Sequence, residues 1–455
     1  MRTPAPDARP VALTVAGSDS GGGAGIQADL KTMEAAGVFG TSVITSVTAQ
    51  NTRGVSSIHP VPTEEVRAQY EAVTEDFDVG AAKTGMLGTA EMVETVTDCV
   101  ADAPFPVVVD PVMVATSGDR LLDRDAERAY EDLIAASAVV TPNADEAAVL
   151  TDTEPTDESA AREAGAALVE MGAEAALVKG GHAPGEEVLD VLVTEGSHVS
   201  FAHERVDTDA THGSGCTLSS AIAANLARGM DATAAVDSAV ASLQRAIRYP
   251  LDVGEGPGSV HHLATIRHRA ARTEAVEAVE GVVDELVGAG AGARALVPEV
   301  GLNVVGATPY AERPDELAAV EGRIARTKSG VRPNRGVRVG ASSHLAAFLL
   351  AVREVDSTAR FAANCRFDDD VADAMGSLGW SVARVESADG EESGPETESV
   401  SRGAVRRTLE SEGETPAAVV DGGAVGREPL ARVVAADAGT LAERLTSLAA
   451  ELESA

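Results

Sequence analysis

The run Thr211-His212-Gly213-Ser214-Gly215-Cys216-Thr217-Leu218-Ser219-Ser220 sets a glycine-rich turn directly before a small-residue helix, Leu218 to Ala227. Such a junction aims several backbone N–H groups, and the positive end of a helix dipole, at one point. That point can hold phosphate or a developing negative charge. Cys216 falls in the first turn, where the same field is expected to lower its thiol pKa and make a thiolate accessible. The plainer reading is a turn before a core helix, with Cys216 buried and inert. A second glycine loop, Gly17-Ser18-Asp19-Ser20-Gly21-Gly22-Gly23-Ala24-Gly25-Ile26-Gln27-Ala28-Asp29, follows the first apolar run. Positions 23, 25 and 28 match G-x-G-x-x-A. The next strand, however, ends Thr48-Ala49-Gln50-Asn51, without the acid a dinucleotide site wants. No Gly-Lys-Ser/Thr of a P-loop occurs. What remains is a loop closing over a small ligand, with Asp29 and Gln50 to fix its orientation.

The elements that must position these residues are α/β in pattern. Val11–Ala16, Ser42–Ala49, Gly80–Thr84, Val107–Asp110, Val139–Thr141 and Ala175–Lys179 read as strands. Between them lie helical stretches at 63–74, 90–100, 123–135 and 157–171, with Thr63 and Asp157 as N-caps. This alternation predicts a doubly wound, mostly parallel sheet. Val188–Thr194 and His198–Arg205 predict an antiparallel hairpin at one edge. A Gly/Pro-rich loop, LDVGEGPGSV, and an Arg-rich helical segment at 263–280 mark a boundary. The expected domains are 1–265, a linker at 266–274, and a second, smaller α/β domain at 275–455. In the latter, strands are expected at 303–307, 336–339, 357–363, 381–385, 417–421 and 431–435. Helices are expected there at 343–353, 368–378, 403–410 and 438–451, and SADGEESGPETES at 387–399 reads as a disordered acidic loop.

Length and charge bound the class. At 455 residues the chain exceeds one core. Its net charge of −36 repels nucleic acid and anionic membranes. Only Lys31, Lys83, Lys179 and Lys328 are lysines among 36 basic residues. A halophilic, archaeal source is expected from this balance. Three lysines fall within the motifs described here, which suits local roles. Three dispersed cysteines imply no disulfide framework and a reducing cytoplasm. No zinc-ligand spacing is present. The first apolar run is too short for a signal peptide or a membrane span.

GSDSGGGAGIQADLKT, TAQNTRGV, KTGMLG, DPVMVATSGD, TPNADEA, VKGGH and THGSGCT occur in that order over residues 8–265. Together they resemble the hydroxymethylpyrimidine/phosphomethylpyrimidine kinases, a ribokinase-like family. The resemblance implies ATP and Mg2+, with Asp29, Gln50, Met86 and Val112 at the pyrimidine and Gly17 at the pocket floor. It implies Asn143 and Glu146 as the magnesium- and phosphate-handling pair and Lys179 beside the ATP phosphates. Gly213, Ser214, Gly215 and Cys216 match the anion hole, with cysteine where many ribokinase-like enzymes place an aspartate base. Asp110, at a strand end bordering the crevice, is added as a metal candidate. Cys216 is expected to orient or deprotonate the substrate hydroxyl. His182 and His212 are read as packing or capping residues.

In the second half, Arg323, Arg326, Lys328, Arg332, Arg335 and Arg338 form a basic cluster in an acidic chain. It reads as an anion site or as a solvated loop paired with surface acids. EGRIART, GVRVGASSHLA, NCRFDDDV and DGGAVGREP resemble the archaeal-type thiamine-phosphate synthase domain over 275–455. That resemblance implies condensation of pyrimidine diphosphate with thiazole phosphate, with Arg323 and His344 essential and Asp368 and the 421–427 loop as lesser ligand candidates. Two alternatives stand beside this: a C-terminal ligand-sensing domain, and a pyridoxal or pyridoxine kinase. Small-molecule substrates, no nucleic acid, no membrane and a homo-oligomer complete the expectation.

Overall fold

The computed structural model describes residues 8–113, 128–181, 185, 187–385, 402–423 and 428–454. Two compact units divide the chain, Met1–Ile266 and Arg267–Ala455. The stretch 266–274, expected as a linker, lies within the helix Ala264–Gly288.

The first unit holds strands β1 (Val11–Ser18), β2 (Phe39–Asn51), β3 (Gly54–Pro60), β4 (Val79–Thr84), β5 (Val107–Val109), β6 (Val139–Val140), β7 (Ala175–Val178), β8 (Glu187–Thr194) and β9 (Ser197–Glu204). They form one sheet in the order β3-β2-β1-β4-β5-β6-β7-β8-β9. From β2 to β7 all pairings are parallel, while β3, β8 and β9 add antiparallel edges. Runs such as Val107–Val109 and Ala175–Val178 are buried throughout, as parallel strands covered on both faces require. Strand β3 was not expected: it is mostly exposed, and its Val55 and Ile58 stand three apart, which gives no apolar alternation to read. Thr63 is the first residue of its helix rather than the cap, which Pro62 occupies. Asp157 does cap, accepting the Ala160 N–H. Of the helix expected at 123–135, Tyr130–Ala135 is present and 123–127 lie outside the described residues.

The parallel strands bring the motifs together. Sequence order along each strand carries Gly17, Lys83 and Met86, Asp110 and Val112, Asn143, and Lys179 to the carboxyl edge of β1, β4, β5, β6 and β7. That edge, where β1 is flanked by β2 on one side and β4 on the other, is where ligands of open α/β sheets bind. The helix Ser214–Ala227 packs on β1, β4 and β5, with Leu218, Ile222 and Ala223 buried against the sheet.

In the second unit, β10 (Asn303–Gly306), β11 (Ala318–Val320), β14 (Val337–Val339), β15 (Phe361–Arg366), β16 (Val382–Val385), β17 (Ala418–Asp421) and β18 (Leu430–Ala435) form a sheet ordered β14-β11-β10-β15-β18-β17-β16. Among the described residues only β16 and β17 pair in parallel there. A small ribbon pairs β12 (Ile324–Arg326) with β13 (Val331–Pro333). The acidic stretch at 387–399 lies outside the described residues.

Candidate active site

Gly213 is the N-cap of the helix Ser214–Ala227 and adopts φ +82°, a left-handed turn that favours glycine. A Cβ there would stand 1.9 Å from the Gly23 carbonyl oxygen, so the two glycine loops interlock backbone to backbone. Asp19 organises the other loop. Its carboxylate accepts the N–H groups of Gly21, Gly23 and Ala24 at 2.7–2.9 Å and lies 3.3 Å from His212 Nε2. Burial alone would raise the Asp19 carboxyl; the His212 bond and the Ala24 and Gly21 amides outweigh it and hold it below the usual range. His212 Nε2 also approaches Gln50 Nε2 at 3.5 Å. Donating to Asp19, that nitrogen ties the two glycine loops together and leaves Gln50 as a neighbour only, where His212 was expected only to pack or cap.

Gly17 is buried, and a Cβ there would meet Met86 Cε at 2.4 Å and Ser46 Oγ at 2.6 Å. This close approach places Gly17 and Met86 on one wall. Gln50, Met86 and Val112 are each half-buried, open enough to meet a ligand.

At the phosphate end, a Cβ on Gly215 would sit 3.6 Å from Lys179 Nζ and 3.7 Å from Asp110 Oδ2. Lys179 Nζ lies 3.2 Å from Asp110 Oδ1 and 3.9 Å from Glu146 Oε2. Asp110 also accepts from Ser219 Oγ at 3.2 Å and Thr141 Oγ1 at 3.3 Å. Asn143 and Glu146 form a capping box, each side chain accepting the other's backbone N–H at 2.8 Å. Burial is the main cause that pushes the Glu146 carboxyl up, to about 7, and Asp110 adds to it while Lys179 opposes. Burial would lower Lys179, but Asp110 and Glu146 overcome it and raise the ammonium pKa. Lys179 is therefore a fixed cation beside Gly215 in the 213–216 turn, suited to hold phosphate as a point charge.

Two residues stand in surroundings other than those expected. Asp29, expected at the pyrimidine, is fully buried and its carboxylate is filled by Thr14 Oγ1 and Ser220 Oγ at 2.6 Å and by Lys83 Nζ at 3.1 Å to both oxygens. Cys216 does not carry a lowered pKa. Burial pushes its thiol up to about 11; Lys83 and the Gly25 N–H pull it down, and Asp29 and Asp110 push it further up. Burial outweighs Lys83 and the Gly25 N–H, so Cys216 is a thiol at neutral pH. Lys83 is the residue that sequence reasoning left out of the site. Its place in KTGMLG, next to the pocket strand end, was the available signal.

In the second unit, Arg323 adopts φ +68° after Gly322 at φ +76°, and its guanidinium donates to the Val300 carbonyl. Two adjacent left-handed residues, one of them arginine, mark a strained turn. His344 is exposed at the first position of the helix His344–Val355. Val320 pairs with Val337 and Ala318 with Val339, so Arg323 and His344 follow opposite ends of the β11–β14 pair. No hydrogen bond joins them among the described residues. The basic cluster is divided: Arg335 and Arg338 pair with Glu321 at 3.3 and 2.8 Å, and Arg326 Nε donates to the Val297 carbonyl at 3.0 Å. Asp368 caps the helix Asp369–Ser377 and pairs with Arg366, a structural duty. Of the 421–427 loop, 424–427 lie outside the described residues.

Two surface concavities, of about 380 and 360 Å³, lie elsewhere on the first unit, lined by Arg162 and Val193 or by Tyr70 and Phe105 among others. Neither contains a site residue. The converging loops, lysine and carboxylates at one sheet edge are chemically the richer place.

A doubly wound sheet, with a glycine-capped helix start, a lysine and buried carboxylates at its carboxyl edge, defines a ribokinase-like phosphotransferase. Residues 19–261 match the family model described as phosphomethylpyrimidine kinase, and the chain belongs to that family. Residues 278–447 match a second model, thiamine-phosphate synthase ThiN, so the enzyme joins a kinase domain to a thiamine-phosphate synthase domain. A hydroxymethylpyrimidine/phosphomethylpyrimidine kinase of Haemophilus influenzae is 47% identical over 261 residues, covering 56% of this chain and 97% of that one. A thiamine biosynthesis bifunctional protein ThiED of Geobacter sulfurreducens is 45% identical over 261 residues, 57% of this chain and 53% of its own. Among solved structures, an ADP complex of Bacillus subtilis pyridoxal kinase superposes with a TM-score of 0.53 at 33% identity, covering 56% of this chain and 98% of that one. A pyridoxal kinase of Staphylococcus aureus with AMP-PCP and pyridoxal gives 0.53 at 30% identity, covering 57% and 96%. No described helix is long and apolar enough to cross a membrane.

Proposed function

We propose that the first unit uses ATP to phosphorylate 4-amino-5-hydroxymethyl-2-methylpyrimidine and then its monophosphate, and that the second unit condenses the diphosphate with hydroxyethylthiazole phosphate. The products are thiamine phosphate and pyrophosphate. The observation that carries this is the approach of Lys179 and Asp110 to Gly215, in the turn that opens the helix Ser214–Ala227, beside a pocket walled by Gly17 and Met86. Phosphoryl transfer asks mainly for positioning and charge neutralisation. The amides at the helix start would steady the transferring group, and Lys179 would hold the phosphates of ATP. Gln50, Met86 and Val112 would hold the heterocycle over Gly17. Cys216, as a thiol, would orient the hydroxymethyl group by a hydrogen bond.

The carboxylates of Glu146 and Asp110 are the donors magnesium prefers, and both lie at the phosphate end. Bound there with phosphate oxygens, Mg2+ would neutralise charge on the transferring group. In the second unit Arg323 would grip diphosphate and His344 would hydrogen-bond a phosphate or leaving oxygen. A cytoplasmic, homo-oligomeric protein from a halophile fits the charge of −36 and the free cysteines.

The test is direct: the purified full chain with pyrimidine alcohol, thiazole phosphate and MgATP, assayed for thiamine phosphate in low and high salt. Pyrimidine diphosphate without thiamine phosphate would leave the kinase alone and favour a sensing role for the second unit. The likeness to pyridoxal kinases supports a second arm with pyridoxal as acceptor. Pyridoxal phosphate without any pyrimidine phosphate would replace the proposed activity.

A further inference from the structure

Lys83 is the penultimate residue of β4, and none of its side chain is exposed. Its Nζ lies 3.1 Å from each oxygen of Asp29, itself fully buried. Thr14 Oγ1 and Ser220 Oγ complete that carboxylate at 2.6 Å. A lysine ammonium has three N–H groups, so one remains beyond the two bonds to Asp29. Ser220 is one helical turn after Cys216, on the same face, and reaches Asp29. Cys216 therefore stands over the ion pair. A Cβ on Gly85 would stand 2.7 Å from Lys83 Nζ, so the ammonium packs directly against a position that leaves room only for glycine. A buried pair is weak as a stabilising device, since well-packed apolar residues often serve as well. Its position under the cysteine of the phosphate-binding turn points to a task.

We propose that Lys83 is a positioning residue for phosphoryl transfer: with Asp29 it fixes the electrostatic surroundings of the Cys216 sulfur, and so its hydrogen bonding to the substrate hydroxyl. The proposal rests on the kinase reading above. The charged groups around Cys216 are Lys83 from β4, Asp29 from the helix Gly25–Ala35, Asp110 after β5 and Lys179 after β7, with the Gly25 N–H also aimed at the sulfur. Lys83 favours the thiolate, whereas Asp29 and Asp110 oppose it. Removing Lys83 and removing Asp29 must therefore act with opposite sign.

The experiment measures alkylation of Cys216 by iodoacetamide at pH 8.5, resolved by peptide mass spectrometry in the full chain. Lys83→Met should slow it by about tenfold or more, one pH unit being one decade of thiolate. Asp29→Asn should accelerate it. The double variant Lys83→Met/Asp29→Asn carries no unpaired buried charge. With the ion pair gone its alkylation rate should differ from that of wild type; it is read even if a single variant fails to fold. Lys83→Met should also lower kcat for the pyrimidine with little change in KM for ATP, and Lys83→Arg should restore part of kcat. Equal alkylation of wild type and double variant, or single variants that shift the same way, overturns the proposal. Absence of pyrimidine phosphorylation by wild type would overturn the kinase reading and leave the alkylation result standing.

Discussion

Replacing Gly213 by alanine tests the interlock of the two glycine loops. The new Cβ would stand 1.9 Å from the Gly23 carbonyl oxygen and 2.9 Å from its carbon, both backbone atoms that cannot swing aside. That is about 1.5 Å short of the 3.4 Å at which ordinary contact begins. The backbone at φ +82° adds about 1–2 kcal/mol of left-handed strain for a residue with a Cβ. The loops must part, and with them the amides of residues 214–216 from the phosphate position. A misplacement of about 1 Å typically costs about 10²-fold, or about 2.7 kcal/mol of barrier. Kinase kcat/KM, read as ADP release with the pyrimidine alcohol, should fall at least that far. Thiamine phosphate formation from supplied pyrimidine diphosphate and thiazole phosphate should persist, since that step belongs to the second unit. Gly37→Ala is the control: its φ is +78°, yet nothing lies within 4 Å of its Cβ position. It should cost about 1 kcal/mol of stability and leave kinase turnover intact. Kinase activity in Gly213→Ala within threefold of wild type would refute the reasoning.

Cys216→Ala should sharply lower kcat, and Cys216→Ser should recover part of it, because a hydroxyl can still orient the acceptor; equal loss in both would return the role to an ionised sulfur. Lys179→Met should raise KM for ATP and lower kcat together by about 10²-fold or more, as expected for a lost phosphate-binding charge; steady-state kinetics checks this. His262, buried beside the Gly23 loop, is pushed down to about 4, mainly by burial, with Lys31 adding to it. A depressed histidine is neutral in the fold while the unfolded chain takes up a proton below about 6.5, so its stability contribution is present above that pH and is lost as pH falls toward 4. His262→Gln should flatten the fall in denaturant midpoint of the first unit between pH 6.5 and 4. Arg323→Ala and His344→Ala should each abolish thiamine phosphate formation while the kinase reaction proceeds at the wild-type rate.

The first unit was largely legible because its strands are short apolar runs ending in chemical residues, and parallel order puts those ends on one edge. What escaped was tertiary. Lys83 in a strand shows no partner until Asp29, 54 residues earlier, folds against it. For the same reason Asp29 read as an open ligand group when it is a closed one. Cys216 misled because the helix field is visible in sequence and burial is not. In the second unit, β11, β12 and β13 are three residues each, too short to carry a period. The left-handed turn at Arg323 is likewise invisible, since non-glycine residues rarely adopt it.

The central claim concerns the amides of residues 213–216. A crystal of the full chain with a non-hydrolysable ATP analogue and the pyrimidine alcohol examines it most directly. The account predicts the terminal phosphate within about 3 Å of those amides and of Lys179, with the hydroxymethyl oxygen beside Cys216 and the ring against Gln50 and Met86. Both ligands bound elsewhere, with the 213–216 turn empty, would contradict it.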